Sequence, residues 1–172
     1  MKILLVYGST EGQTRKIADF CLARLSDAGH DVDIRDSRRA TPPDISAFDA
    51  VILAGSVHEK RHQQSLERYV FAHRTALTQI PSLLLSVSLS IAFENGEQEA
   101  QDYVSTFSEQ TQFEPNQVAL VAGALKRGQY DYYMNQIVDF VVLKDQETLQ
   151  EDREFTDWDK LGETLNAFVR AT

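Results

Sequence analysis

The residues best suited to chemistry lie in one short run near the N-terminus, Gly8-Ser9-Thr10-Glu11-Gly12-Gln13-Thr14. Its hydroxyl side chains can donate hydrogen bonds to an anion, and Gly12 lets the backbone turn closely around a ligand. An apolar run precedes it, and a helical pattern over residues 14–28 follows it. Backbone N–H groups and the dipole at a helix N-terminus both attract negative charge. The run therefore predicts a phosphate site, with an ordinary hydroxyl-capped turn as the alternative.

Two widespread nucleotide-binding patterns do not fit this run. It is neither Gly-x-Gly-x-x-Gly nor Gly-x-x-x-x-Gly-Lys-Ser/Thr. Adenine dinucleotides and P-loop nucleotide chemistry are therefore disfavoured.

Strand-like apolar runs alternate with helical patterns along the chain, and this alternation indicates how the run is positioned. Strands are predicted at residues 3–7, 31–35, 50–54, 83–87 and 118–122, and helices at 14–28, 63–78, 97–110 and from Thr156 onwards. Such alternation is typical of an α/β fold with a parallel sheet and right-handed crossovers. The polar second strand belongs at an edge, so we expect the order 2-1-3-4-5. Ligands then bind beyond the carboxyl ends of the strands, at loops starting from Gly8, Gly55, Ser86 and Gly123.

Local patterns add detail to two of the helices. Cys21 lies on the apolar stripe of the first helix with Ile17 and Leu25, so a core position is expected rather than a redox role. Gly29 provides a stop for that helix. Thr156 is predicted to cap the last helix, with Asp159 three residues later.

Composition limits the classes of protein to consider. The chain has 172 residues, which suits one domain over 1–172, and its single cysteine allows no internal disulfide. We expect a cytoplasmic protein, since the apolar start is too short for a signal peptide and no apolar run is long enough to span a membrane. Residues 1–90 carry a net charge of +1 and residues 91–172 one of −10. An acidic half disfavours nucleic acid and docking on anionic lipid by charge, and is more simply a solubilising surface.

Three segments of the chain together resemble a known family. Ser9 to Thr14 resembles the phosphate loop of flavodoxins, Ser/Thr-x-Thr-Gly-x-Thr, with Glu11 at the usual Thr position. Within that family, Thr10 to Thr14, Val121 to Leu125 and Phe155 to Trp158 resemble the menaquinone-dependent protoporphyrinogen IX dehydrogenases. The resemblance implies a flavodoxin-like three-layer fold and FMN as cofactor. It also implies oxidation of protoporphyrinogen IX, with electrons passed to a quinone in heme biosynthesis. The alternative is a flavodoxin-like electron carrier that serves a protein partner.

The same resemblance assigns the residues that would bind FMN. They are Ser9, Thr10, Glu11, Gly12, Gln13 and Thr14 at the phosphate, and Gly55, Ser56, Val57, His58, Ser86, Val87, Ser88 and Leu89 around the flavin ring. Electron-carrier flavodoxins usually stack an aromatic side chain on that ring. Neither ring loop has Tyr or Trp near its start, so we expect one ring face to be open to a substrate.

A small basic cluster lies in the first ring loop, which runs from Gly55 to His62. His58, Lys60, Arg61 and His62 fall within five residues of an otherwise acidic protein. They could bind porphyrin propionates or move a proton, with His58 the best candidate for a general base. The alternative is a solvated loop without a ligand. No metal site is predicted, because no third ligand has suitable spacing.

An insertion of about 30 residues, at roughly 125–155, separates the last strand from the last helix. Residues 130–143 have helical periodicity with a wide apolar face, on which Tyr130 and Tyr133 could stack on a planar tetrapyrrole. In the family such an insertion serves substrate binding and membrane association. The family segment is basic and this one is acidic, so peripheral membrane contact by charge is disfavoured. Packing on the domain and homo-oligomer formation are the alternatives.

Overall fold

The computed structural model describes residues 1–39, 43–125 and 152–172. Its main strands are β1 (Lys2–Gly8), β2 (Asp31–Asp36), β3 (Ala50–His58), β5 (Ser82–Ser88) and β6 (Gln117–Ala122). Three short strands accompany them: β4 (Arg61–His62), β7 (Ala124–Leu125) and β8 (Arg153–Glu154). The helices of the described residues are α1 (Gln13–Asp27), α2 (Gln64–Leu77), α3 (Gly96–Thr111) and α4 (Trp158–Ala171). Single turns of 3₁₀-helix lie at Ile45–Ala47 and Ser90–Ala92.

The main strands form a parallel sheet in the order β2-β1-β3-β5-β6. Leaving aside the two-residue strand β4, this is the predicted order 2-1-3-4-5, so the fold prediction is confirmed. Half-exposed β2 lies at one edge, as its polar sequence indicated. The direction of strand addition reverses between β1 and β3, which opens a crevice at their carboxyl ends.

Both faces of the sheet are buried, which explains why its central strands are continuous apolar runs. On one face Leu5, Ile52 and Leu85 pack with residues of α1 and α4, including Ile17 and Phe168. On the other face, Leu4, Leu53 and Leu84 pack with Leu66 and Val70 of α2 and Phe107 of α3. This is the predicted three-layer arrangement.

Cys21 is fully buried on the α1 side of the sheet, as its place on the helical stripe predicted. Burial raises the pKa of its thiol to about 12. Gly29 has φ +86° just after α1, so it supplies the left-handed residue that ends this helix.

The predicted cap of the last helix was wrong by one residue. Asp157 is the N-cap of α4, and its Oδ1 accepts a hydrogen bond from the backbone N–H of Lys160 at 2.9 Å. Thr156 is buried, and its hydroxyl donates instead to the carbonyl of Ala122 at 2.7 Å. Both residues are good capping types, and the tertiary bond to β6 decides between them.

The predicted loop from Gly55 to His62 is a β-hairpin. Strand β3 continues to His58 and pairs antiparallel with β4, so that Val57 faces His62 and His58 faces Arg61. Glu59 and Lys60 form the turn with φ of 51° and 62°. Two consecutive left-handed residues match the twist of a tight hairpin, but neither is the Asn or Gly that usually signals one.

Only the flanks of the predicted insertion are described. Ala124 and Leu125 of β7 pair antiparallel with Glu154 and Arg153 of β8, so the chain leaves and returns as a two-stranded ribbon. Tyr130, Tyr133 and the helical pattern over 130–143 lie outside the described residues. Within the described ranges, no helix is both long and apolar enough to cross a membrane.

Candidate functional site

A cleft of about 380 Å³ lies at the carboxyl ends of β1, β3 and β5. All four predicted ligand loops contribute to it, the fourth through Gly123 and Ala124. The residues that line it are Ser9, Thr10, Glu11, Gln13, Thr14, Ser56, Val57, His58, Val87, Ser88, Leu89, Gly123 and Ala124. The structure therefore brings most of the predicted cofactor residues together at one place.

The first loop forms a seat for an anion at the start of α1. Gly12 has φ +94°, and its backbone N–H donates to Ser9 Oγ at 3.0 Å. Thr14 is only 1% exposed, and its Oγ1 has no hydrogen-bond partner among the described residues. Leaving a buried hydroxyl unbonded costs about 1–3 kcal/mol. A phosphate oxygen at the helix N-terminus would supply the acceptor, so the seat fits the phosphate of FMN.

Hydrogen bonds join the seat to the neighbouring strand. Thr10 Oγ1 lies 3.4 Å from Ser56 Oγ at the end of β3, and Gln63 Nε2 donates to the carbonyl of Ser9 at 3.4 Å. Ser88 adds a second buried hydroxyl without a hydrogen-bond partner among the described residues, on the β5 side of the cleft. The cleft thus offers unpaired polar groups to a ligand from two of its walls.

Glu11 and His58 are the ionisable side chains that line the cleft within the described part of the chain. His58 Nε2 lies 3.8 Å from Glu11 Oε1, and the two side chains are 33% and 13% exposed. A protonated His58 would offset the charge that the carboxylate brings to the seat. Glu11 is therefore not simply a lost hydroxyl donor, because the imidazole of His58 lies beside its carboxylate within the same cleft.

Two predicted ring-loop residues support the cleft without lining it. A Cβ on Gly55 would lie 2.8 Å from Leu66 Cδ2 and 2.9 Å from His62 Cδ2, so this glycine allows α2 to approach β3. Ser86 is buried, and its Oγ lies 3.0 Å from His62 Nε2. Both positions therefore act in packing beneath the cleft.

His62 does not belong to the basic cluster in which the sequence placed it. It is 3% exposed, packs against the ring of Phe107, and burial lowers the pKa of its imidazole to about 4. Its side chain is neutral at physiological pH and faces the core. The sequence could not show this, because histidine is common both in cores and on surfaces.

Lys60 and Arg61 of that cluster do not line the cleft. Arg61 Nη2 donates to Glu67 Oε2 at 2.6 Å and to Gln110 Oε1 at 3.4 Å, which directs it to α2 and α3. Lys60 is exposed at the hairpin turn. Their predicted role with the substrate therefore stays a prediction, as does that of Tyr130 and Tyr133.

The sequence predicted a ligand loop starting at Gly123, but neither Gly123 nor Ala124 was among the residues assigned to the cofactor. Gly123 N donates to the carbonyl of Ser88 at 3.0 Å and holds this wall against β5. Their place in the sequence could have identified them, because Gly123 directly follows a predicted strand and ligands bind at the carboxyl ends of the strands.

Comparisons with known proteins agree with this arrangement. The Flavodoxin domain family model matches residues 4–152. The chain is 26% identical over 175 residues to the protoporphyrinogen IX dehydrogenase (quinone) of Escherichia coli strain K12, an alignment that covers 100% of this chain and 97% of the relative. The enzyme of that name from Leishmania major is 26% identical over 164 residues, covering 91% of this chain and 70% of the relative.

Two solved flavodoxin structures are also similar over their whole length. One is a short-chain flavodoxin associated with a non-canonical PDU bacterial microcompartment, with a TM-score of 0.59, 10% identity and coverage of 99% and 98%. The other is the flavodoxin of Streptococcus pneumoniae TIGR4, with a TM-score of 0.59, 15% identity and full coverage of both chains. At this identity they show the shared fold. The chain belongs to the Flavodoxin domain family, and both this membership and the fit of the phosphate seat indicate FMN as its cofactor.

Proposed function

We propose that this chain is an FMN-dependent oxidoreductase that converts protoporphyrinogen IX to protoporphyrin IX and passes the electrons to a quinone. The observation that carries the proposal is the full-length similarity to relatives that bear this name, at 26% identity over 100% of the chain. The family alone supports a flavoprotein with the flavodoxin fold. The substrate and the acceptor come from the named relatives.

The reaction removes six hydrogen atoms from the substrate in three steps, each releasing two electrons and two protons. FMN, when bound, supplies the two-electron chemistry that links the tetrapyrrole to the quinone. Each quinone takes up two electrons and two protons, so three quinols form for each porphyrin. The protein has to hold the cofactor, leave one side of the cleft accessible, and handle protons.

The residues of the cleft suit these tasks. Thr10 and Thr14 lie at the phosphate seat and would hold the cofactor there. Val57 and Leu89 belong to different ring loops and offer aliphatic side chains to the cleft. We assign His58 as the group that holds the released proton at Nε2, which lies 3.8 Å from Glu11 Oε1.

The alternative function is that of an FMN electron carrier for a protein partner. One observation favours it: residues 91–172 carry a net charge of −10. An acidic surface speeds docking on a basic reductase. The alternative needs no small-molecule substrate, which makes the two functions separable by experiment.

The deciding measurement is anaerobic mixing of the FMN-loaded protein with protoporphyrinogen IX. The proposal expects prompt bleaching of the flavin band at roughly 450 nm, followed by recovery of the band when a quinone is added. His58→Gln should slow the bleaching when enough FMN is supplied to saturate the variant, and Glu59→Gln at the exposed hairpin turn is the matched control. No bleaching, together with rapid electron exchange with a flavodoxin reductase, would establish the carrier instead.

Two further expectations, on membrane contact and on self-association, stay predictions. Peripheral membrane contact through residues 130–143 and formation of a homo-oligomer both depend on residues outside the described ranges. Liposome flotation and light scattering of the full chain would test them separately.

A further inference from the structure

Glu154, on the returning strand of the ribbon, accepts hydrogen bonds from three donors in two helices. Its Oε2 accepts from Gln13 Nε2 at 3.1 Å and from Lys16 Nζ at 2.5 Å, both on α1. Its Oε1 accepts from the indole N–H of Trp158 at 2.8 Å on α4. These contacts span more than 130 residues of sequence between α1 and β8, so they fix distant parts of the chain to one carboxylate.

Gln13 carries the connection into the cleft. It is the first residue of α1, it follows Gly12 of the phosphate seat, and it lines the cleft. Its amide donates both to Glu154 and, at 2.9 Å, to Thr156 Oγ1. The hydroxyl of Thr156 in turn donates to the carbonyl of Ala122 at the end of β6. A continuous chain of hydrogen bonds thus runs from the last sheet strand to the start of α1.

Neighbouring contacts hold the two ends of the insertion in place. Leu125 and Arg153 pair in the ribbon, and Phe155 N donates to the carbonyl of Gly123 at 3.0 Å. The ammonium of Lys16 also lies over the Trp158 ring, 5.2 Å from its centre. The residues on which the insertion closes are therefore bonded to the helix whose N-terminus forms the phosphate seat.

We propose that Glu154 is a positioning residue for the phosphate seat, which fixes Gln13 and the start of α1 against the Gly123–Ala124 wall and thereby couples the insertion to FMN binding. The proposal rests on FMN as the cofactor and does not depend on which substrate is oxidised. The alternative is that Glu154 only braces the ribbon. A bracing role would change the stability of the protein and leave the bound phosphate undisturbed.

Glu154→Gln tests the proposal, since it keeps the size of the side chain and removes one of its acceptor oxygens. We expect FMN affinity to fall by about threefold to tenfold, the range set by one or two hydrogen bonds, and the ³¹P resonance of bound FMN to shift. Glu154→Asp should restore part of the affinity. Glu163→Gln, an exposed acid-to-amide change on α4, is the matched control and should match the wild type.

A double-mutant comparison adds a second criterion. Gln13→Ala should weaken FMN about as much as Glu154→Gln, and combining the two should add little, because both act through one bond. The proposal fails if the ³¹P resonance and the affinity stay at wild-type values, or if the two losses simply add. A fall in unfolding free energy of the apoprotein with unchanged affinity would establish bracing. Failure of the wild type itself to bind FMN would instead overturn the cofactor assignment.

Discussion

The imidazole of His58 and the carboxylate of Glu11 lie on the same cleft, with Nε2 of one 3.8 Å from Oε1 of the other. Glu11 belongs to the phosphate loop and His58 to the end of β3, so the pair joins the first two loops of the site. A carboxylate beside a phosphate seat opposes binding of a dianion, and a protonated His58 would offset that effect. The charge balance of the seat is therefore set by the pair rather than by either residue.

Neutralising Glu11 should strengthen FMN binding. Glu11→Gln removes a negative charge near the bound phosphate, and we expect a gain of about 1 kcal/mol in binding free energy at low salt. His58→Gln should weaken binding in the wild type and have little effect in the Glu11→Gln background. Fluorescence titration of FMN measures all four proteins. Equal effects of His58→Gln in both backgrounds would show that the two residues act independently.

Replacing Thr14 by Val should change stability and FMN affinity in different directions. The two side chains have similar shapes, and the unpaired buried hydroxyl is lost, so the apoprotein should unfold with an unchanged or higher free energy. FMN binding should weaken by about 1–2 kcal/mol, because the phosphate loses a donor. In the double variant Thr10→Ala with Thr14→Ala, the binding free energy of FMN should weaken by about 1–3 kcal/mol.

Thr106→Val provides the control for that substitution. Thr106 is on α3, away from the cleft residues, and its hydroxyl donates to the carbonyl of Asp102. It should leave FMN affinity unchanged. If Thr14→Val binds FMN like the wild type, Thr14 does not touch the phosphate.

Buried His62 should make the folded state less stable as the pH falls. Its pKa is about 4 in the folded protein and 6.5 without burial, so between these values only the unfolded chain binds the proton. Stability is therefore highest above pH 6.5 and is lost as the pH falls towards 4, by up to about 3 kcal/mol. Urea unfolding of wild type and His62→Gln across this window should show a steeper loss for the wild type. Parallel curves for the two proteins would contradict this assignment.

Asp157→Ala should destabilise the protein by about 1 kcal/mol through loss of the α4 cap. Asp157→Asn keeps a side-chain oxygen for the N–H of Lys160 and should retain most of the stability. Asp159→Ala is the control, because Asp159 lies in the first turn of α4 but is not the N-cap. Thermal or urea unfolding measures the stability of all three variants. A larger loss at Asp159 than at Asp157 would show that the cap lies elsewhere.

The sequence predicted those features that depend on patterns along the chain. Apolar runs such as residues 50–54 identified the buried strands, and the hydroxyls and glycine of residues 8–14 identified the phosphate seat. Both depend on local residue types and on their place after a strand. The burial of Ile17, Cys21 and Leu25 followed from helical spacing in the same way.

The features that could not be predicted depend on contacts between distant segments. The hairpin turn at Glu59 and Lys60 carries none of the usual turn residues, since pairing of the flanking strands imposes its conformation. Arg61 pairs with Glu67 on α2 and not with a ligand. Gln13 and Glu154 are 141 residues apart, and no spacing rule connects them. The same holds for His62, whose burial follows from the packing of α2 and α3.

The chain's only thiol, that of Cys21 on α1, is fully buried, and burial raises its pKa. Folded molecules therefore present no thiol to oxidants or alkylating reagents. Unfolding exposes the Cys21 thiol. Disulfide-linked dimers in an aerated preparation would therefore form from molecules that had unfolded. The rate at which a thiol reagent labels the native protein thus gives a direct reading of how often its interior comes apart.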